Sequence, residues 1–212
     1  MNLTREQLDT VDRFQANVER GLTTDEATQR REENGTFNVV KPPVDCPAWI
    51  CCLLPCIKSI PSMKAFQAIK PDDAEVLRNG KWVRYDATSL VQGDVIRLEE
   101  GDVVPADCIV LENSSTSEEL LVDVRAVVGD EKLLSYPASS SSSAALPLLQ
   151  LYMGNHVVQG GATAVITAIG PDTLLATLIK EGNFPPKGNV LQDGEHERED
   201  GISLISRTPQ VT

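Results

Sequence analysis

The chain has 212 residues, with 31 acidic against 19 basic side chains and a net charge of −12. That length accommodates one ordinary domain with appendages or two very small ones, and such acidity disfavours a surface meant for a phosphate backbone, so no nucleic-acid partner is expected. Hydrophobic residues make up 41% of the chain, enough for a core, but no run approaches the roughly 18–20 apolar residues of a membrane-spanning helix. The opening Met1-Asn2-Leu3-Thr4-Arg5-Glu6 carries no apolar signal region, so a cytoplasmic location is expected. A disulfide framework among the five cysteines is not expected there, and two histidines are too few for a His-rich metal site.

In chain order, residues 1–43 read as a helical module. Thr4 and Gln7 have capping-box spacing, and the helix they start is expected to run to Arg20, where Gly21 stops it. Thr23 with Glu26 repeats the start signal, and Asn34-Gly35 supplies a stop. The apolar positions Leu3, Leu8, Val11, Phe14 and Val18 form only a narrow stripe, so these helices are expected to dock on something. Residues 44–70 form a Cys-rich linker, apolar from Trp49 to Ile57, in which Pro47, Pro55 and Pro61 oppose a long helix.

Residues 71–182 read as mainly β. Ala74–Arg78 and Lys81–Tyr85 flank Asn79-Gly80, a two-residue hairpin signal. Strands are expected at Val95–Leu98, Cys108–Leu111, Leu120–Val124, Val157-Val158 and Ala162–Ala168, with a helix from the Gly170-Pro171-Asp172-Thr173 start to Lys180. A flexible insert at 136–149 contains five consecutive serines, and 183–212 reads as a disordered acidic tail.

The run Leu90-Val91-Gln92-Gly93-Asp94-Val95-Ile96-Arg97-Leu98-Glu99-Glu100-Gly101-Asp102-Val103-Val104-Pro105-Ala106-Asp107 resembles the signature of the actuator domain of P-type cation-transporting ATPases at every fixed position. Each Gly-Asp pair suits a tight turn, with positive φ at Gly and a side-chain cap from Asp. Pro105 fixes an extended entry to the next strand. Gln159–Thr173 is similar to the family's closing strand and helix start, and Gly21–Ala27 to the short N-terminal module found in many of these pumps. The resemblance implies a mainly β fold, a distorted jelly roll or double-stranded β-helix, with short N-terminal helices and a C-terminal helix.

The departures from the family matter as much. Its Thr-Gly-Glu-Ser loop, whose glutamate orients the water that hydrolyses an aspartyl-phosphate, falls on Val128-Gly129-Asp130-Glu131. Gly129 matches, Val128 replaces the threonine, and Asp130 stands where glutamate belongs. Its carboxylate is one methylene shorter, and a misplacement of about 1 Å can cost roughly 100-fold in a positioned reaction. The loop is read as degraded, so no catalytic residue is assigned and the carboxylates of Asp130 and Glu131 are read as solvated, with docking the more credible role. An alternative register puts Glu131 at the glutamate position, without Gly129 directly before it. The family's Asp-Lys-Thr-Gly phosphorylation motif does not occur in these residues.

Other candidates are weighed by their neighbours. Asp94, Asp102 and Asp107 are spaced as turn residues rather than as a calcium loop. Cys46, Cys51, Cys52 and Cys56 admit three readings: S-acylation beside Trp49 and ahead of Lys58, Lys64 and Lys70; a zinc site, for which adjacent Cys51-Cys52 is awkward; or burial. Acylation leads, because the segment stands where the resembling family carries membrane spans, and two or more acyl chains hold a protein stably at a bilayer, at about 0.8 kcal/mol per buried CH₂. Cys108 reads as a small buried hydrophobe, His156 as structural, and His196 as part of a solvated charge run; Ser139–Ser143, Ser206 and Thr208 are weak phosphorylation candidates.

The expectation is therefore a pseudo-actuator: a non-enzymatic binding or regulatory module without a cofactor, peripherally anchored by lipid at the cytosolic face of a membrane. Its expected partner is a P-type ATPase or another membrane protein. The alternatives are one component of a split P-type pump, or a metal-binding protein using the cysteine cluster.

Overall fold

The computed structural model describes residues 3–45, 59–115, 118–129, 133–138 and 148–186. Among the described residues, nine strands form two antiparallel sheets: β1 (Asp73–Arg78), β2 (Lys81–Asp86), β3 (Val95–Leu98), β4 (Asp107–Asn113), β5 (Leu120–Asp123), β6 (Leu134–Tyr136), β7 (Gln150–Leu151), β8 (His156–Gln159) and β9 (Ala162–Ala168). The larger sheet runs β2-β1-β3-β9-β4-β7 and the smaller β6-β5-β8. The two sheets do not close into a barrel, and the architecture is the mainly β, distorted jelly-roll type expected.

Alternation in β1 and β3 and continuous apolarity in β4 send Val76, Ile96, Leu98 and Val110 into one core, where they meet Leu120, Val122, Tyr136, Leu151 and Ile166. Each such side chain contributes roughly 1.5–3 kcal/mol by leaving water. The hairpin behaves as its sequence demands: Asn79 and Gly80 both take positive φ, 51° and 74°, and close β1 onto β2 in the register Arg78 with Lys81.

Helix α1 (Arg5–Arg13) and α2 (Thr24–Asn34) both carry the expected capping boxes, and Gly35 ends α2 in the left-handed conformation. However, α1 stops at Arg13 rather than continuing to Arg20, because Gln15 takes φ 48° and the chain turns back on itself. The turn lets Phe14, Ala16 and Val18 pack with Val11 over Leu77, Val95 and Leu111 on the outer face of the larger sheet, while Leu8 stays exposed. The helices thus dock on the domain that follows them. Gln7, read from sequence only as a cap, is buried, and its Nε2 donates to the carbonyls of Val110 and Leu111 at 3.0 and 2.8 Å and to the Tyr136 hydroxyl at 3.2 Å. The backbone N–H groups of Asn79 and Gly80 donate to Leu22 and Arg20, and Arg30 and Arg31 donate to the carbonyls of Gln92 and Ser89.

A second layer covers one end of the sandwich. It contains α3 (Pro61–Ala68), the four-residue helix α4 (Arg125–Val128) and α5 (Leu174–Lys180), joined through Val40, Ile69, Val127, Met153, Leu175 and Phe184. The expected helix from Gly170 divides in two: Gly170–Asp172 form a 3₁₀ turn, and α5 begins afresh with Thr173 as its N-cap. The break is at Thr173, whose extended backbone (φ −72°, ψ 155°) interrupts the helical ladder between the two pieces. Tyr136, placed in the serine-rich insert, ends β6 and is buried in the main core, and Ala138 is buried too; the serines at 139–143 lie outside the described residues.

Candidate functional site

The signature folds into two copies of one turn. In the first, Asp94 N–H donates to the Val91 carbonyl (3.2 Å), and the Asp94 carboxylate accepts from the Val91 N–H (2.9 Å). In the second, Asp102 N–H donates to Glu99 (3.1 Å), and the Asp102 carboxylate accepts from the Glu99 N–H (2.8 Å). Gly93 and Gly101 take φ of 84° and 92°, as only glycine readily does. Each copy then grips a strand by two backbone hydrogen bonds. Gly93 donates to Ile166 and Ile166 to Asp94 at 2.9 and 3.0 Å; Gly101 donates to Val157 and Val157 to Asp102, both at 2.9 Å. Ile166 lies in the larger sheet and Val157 in the smaller, so the signature fastens both.

The two aspartates differ in surroundings. Asp102 is partly exposed, whereas Asp94 is fully buried and paired with buried Arg78, whose Nε and Nη2 donate at 3.0 and 2.6 Å. Burial pushes the Asp94 carboxyl above its ordinary range, against the opposing pull of Arg78. Arg78 also stacks its guanidinium over Tyr85 at 5.0 Å. Sequence reasoning missed Arg78; a cation ending a strand otherwise buried along its inner face was the available signal.

Asp107 is not a turn residue but the first residue of β4. Its buried carboxylate accepts from the Met153 N–H at 2.9 Å and the Leu174 N–H at 2.8 Å, pinning the 152–155 turn to the start of α5. Burial raises its pKa, and the two N–H donors oppose the shift. Pro105 and Ala106 are buried, and the Pro105 carbonyl accepts from Asn38. Cys108 is a free, fully buried thiol whose pKa burial drives strongly upward, in keeping with an inert core residue.

The pinned layer carries the loop. Val127 anchors α4 in the second cluster, Val128 is exposed, and Gly129 caps the helix at φ 77°. A Cβ at Gly129 would stand 2.6 Å from the Pro186 side chain, so the segment after α5 lies directly against the start of the loop. At the foot of α4, the Asp123 carboxylate accepts from the Arg125 guanidinium at 2.6–3.0 Å, and Arg125 holds its pKa below the ordinary range. His156 pairs with Asp123 across β8 and β5, and it contributes a smaller lowering.

Asp130 and Glu131, and also Cys46, Cys51, Cys52, Cys56 and His196, lie outside the described residues. Among the described residues, no group of three or more His, Cys, Asp or Glu could hold a metal, and no helix is long and apolar enough to cross a membrane.

A family model for the P-type ATPase actuator domain matches residues 68–182. The chain belongs to this family. The actuator domain is similar to the endoplasmic reticulum calcium ATPase srcA of Aspergillus fumigatus, at 35% identity over 118 residues, covering 54% of the chain and 12% of that protein. It is also similar to the sodium/potassium-transporting ATPase subunit alpha of Hydra vulgaris, at 29% identity over 122 residues, covering 57% of the chain and 11% of that protein. The chain therefore spans about an eighth of the length of the curated relatives it matches. Among solved structures it is similar to a zinc-transporting PIB-type ATPase in the E2.Pi state, at 24% identity and a TM-score of 0.43, covering 55% of this chain and 17% of that one.

Proposed function

We propose that this actuator domain acts as a non-catalytic docking module on a P-type ATPase at the cytosolic face of a membrane, with the loop that begins at Val128 and Gly129 as its contact. The observation that carries the reading is the contrast between the two halves of the site. The framework of Gly93, Asp94, Gly101, Asp102, Pro105 and Asp107 is tied by hydrogen bonds to both sheets and to the start of α5, whereas the loop it supports presents an exposed Val128 in place of a hydroxyl-bearing threonine. A rigid mount with a chemically weakened tip suits binding better than water activation. Membrane attachment through acylated Cys46, Cys51, Cys52 and Cys56 belongs to the same proposal, as does the division into a helical module, a Cys-rich linker, a β-domain and a tail.

The test is co-purification of the tagged full chain with membrane ATPases, identified by mass spectrometry, and repeated with Val128→Asp. Recovery of a P-type ATPase that falls at least tenfold in the variant supports the reading. Failure to recover any such ATPase overturns it. Hydroxylamine-sensitive lipid on the cysteines supports the anchor, and stoichiometric zinc there refutes it.

A second reading, one component of a split pump, draws on Gly129, which keeps its left-handed cap directly before Asp130. It requires that Asp130→Asn trap a phosphoenzyme in a mixture with the partner chain.

A further inference from the structure

The segment leading out of α2 turns tightly at Asn38, where the Val39 N–H donates to the Phe37 carbonyl at 2.7 Å; Asn38 and Val40 are buried, while Phe37 and Val39 are 59% and 52% exposed. Asn38 holds that orientation. Its Nδ2 donates to the carbonyls of Ala87 and Pro105 at 2.8 and 2.9 Å, and its Oδ1 accepts from the Gly170 N–H at 2.9 Å. Phe37 and Val39 are thereby held facing Pro171, Ala176 and Ile179 across an open groove of about 880 Å³. An adjoining cavity of about 250 Å³ shares Val39, Val40 and Pro42 with it and reaches Phe66 and Ile69, at the end of α3. A fixed apolar patch of this kind marks a contact surface.

The chain itself supplies an occupant. Asp45 lines the groove, and Cys46 is the next residue; thirteen residues later the chain re-enters at Ser59, just ahead of α3, which borders the adjoining cavity. Those residues, 46–58, lie outside the described part of the structure, and their sequence Cys-Pro-Ala-Trp-Ile-Cys-Cys-Leu-Leu-Pro-Cys-Ile-Lys holds one charge, on Lys58. A run this apolar, tethered at both ends beside an apolar groove, faces it at a high effective concentration, so docking there carries no translational cost. We propose that the groove between residues 36–45 and α5 is the seat of the chain's own segment 46–58, with Trp49 and its aliphatic neighbours against Phe37, Val39 and Ile179.

This inference does not depend on docking to an ATPase; it concerns the segment before its cysteines are acylated, and its test, on the unacylated full chain, needs no partner. Trp82→Phe leaves Trp49 as the sole tryptophan of the full chain. Its emission is expected to be blue-shifted from that of the urea-unfolded chain, and its acrylamide quenching several-fold weaker. Val39→Asp with Ile179→Asp is expected to return both to the unfolded values and to speed thiol labelling of the four clustered cysteines, while Cys108 stays protected as the reporter of an intact core. Phe37→Ser, at an exposed position, gives the same readout should the double variant fail to fold. The proposal is overturned if Trp49 is already as accessible as in urea, or if the groove variants leave it unchanged. Protection that disappears on dilution assigns the groove to a second copy, and protection that appears only with phosphatidylcholine–phosphatidylserine vesicles assigns the segment to a bilayer; either result also overturns it.

Discussion

Replacing Arg78 by Met isolates the buried ion pair at the centre of the signature. The substitution leaves a carboxylate with 0% side-chain exposure facing a methyl group, and of the hydrogen bonds described here it keeps only the one from Val91. Breaking one side of such a pair costs about 3–5 kcal/mol, because the remaining charge is desolvated without compensation. For a folded body of this size, that lowers the melting temperature by roughly 6–20 °C. The sign of the pH dependence follows from burial. A carboxyl whose folded pKa lies above its ordinary 3.8 binds its proton more tightly in the folded state, so this group's contribution to stability is greatest in acid and is lost as pH rises through the folded pKa. Without Arg78 that pKa rises further, so the deficit of the variant is expected to be larger at pH 7.5 than at pH 5. Urea unfolding at both pH values, followed by circular dichroism, measures it, and Arg78→Met with Asp94→Leu is expected to recover at least half of the loss. A deficit below about 1 kcal/mol refutes the assignment of an ionised, internally compensated pair.

Three further outcomes follow from the contacts described. Asp107→Asn turns an amide donor toward one of two N–H groups, and is expected to cost about 1–3 kcal/mol and to speed hydrogen exchange at Leu174 and Met153 ahead of the strands. Gln7→Ala removes both the capping partner of Thr4 and the buried donor to Val110, Leu111 and Tyr136; a loss of about 2 kcal/mol is expected, with limited proteolysis opening first between residues 14 and 20. Gly129→Ala combines a left-handed backbone with the 2.6 Å approach of Pro186, so a loss of roughly 1–2 kcal/mol is expected from the backbone alone, and Pro186→Gly is expected to relieve any excess.

The strands were legible wherever a local rule decided them. Asn79-Gly80 and the alternation around it set the hairpin, and the two Gly-Asp pairs announced turns that need positive φ. What sequence could not display is pairing at a distance. Arg78 is remote from Asp94 along the chain, Gln7 binds carbonyls more than a hundred residues away, and Asp107 acts on Met153 and Leu174; none of these has a periodic signature. Helix α1 was drawn too long because its apolar stripe continued past Arg13, yet Phe14 and Val18 reach the sheet through a turn rather than along a helix face. Of the loop itself, sequence foresaw the glycine and the missing hydroxyl but not the Pro186 contact, which depends on the chain beyond α5 folding back.

The paired grip on Ile166 and Val157 bears on how load crosses the molecule. A jelly roll held only by side-chain packing lets its two layers slide, since apolar surfaces resist separation far more than shear. Here one continuous run of backbone is stitched first to one layer and then to the other, so a push delivered at Val128 has no soft plane in which to dissipate. The Asn38-braced segment borders the same second cluster, through Val40 beside Val127, so it shares that push as part of one stiff body.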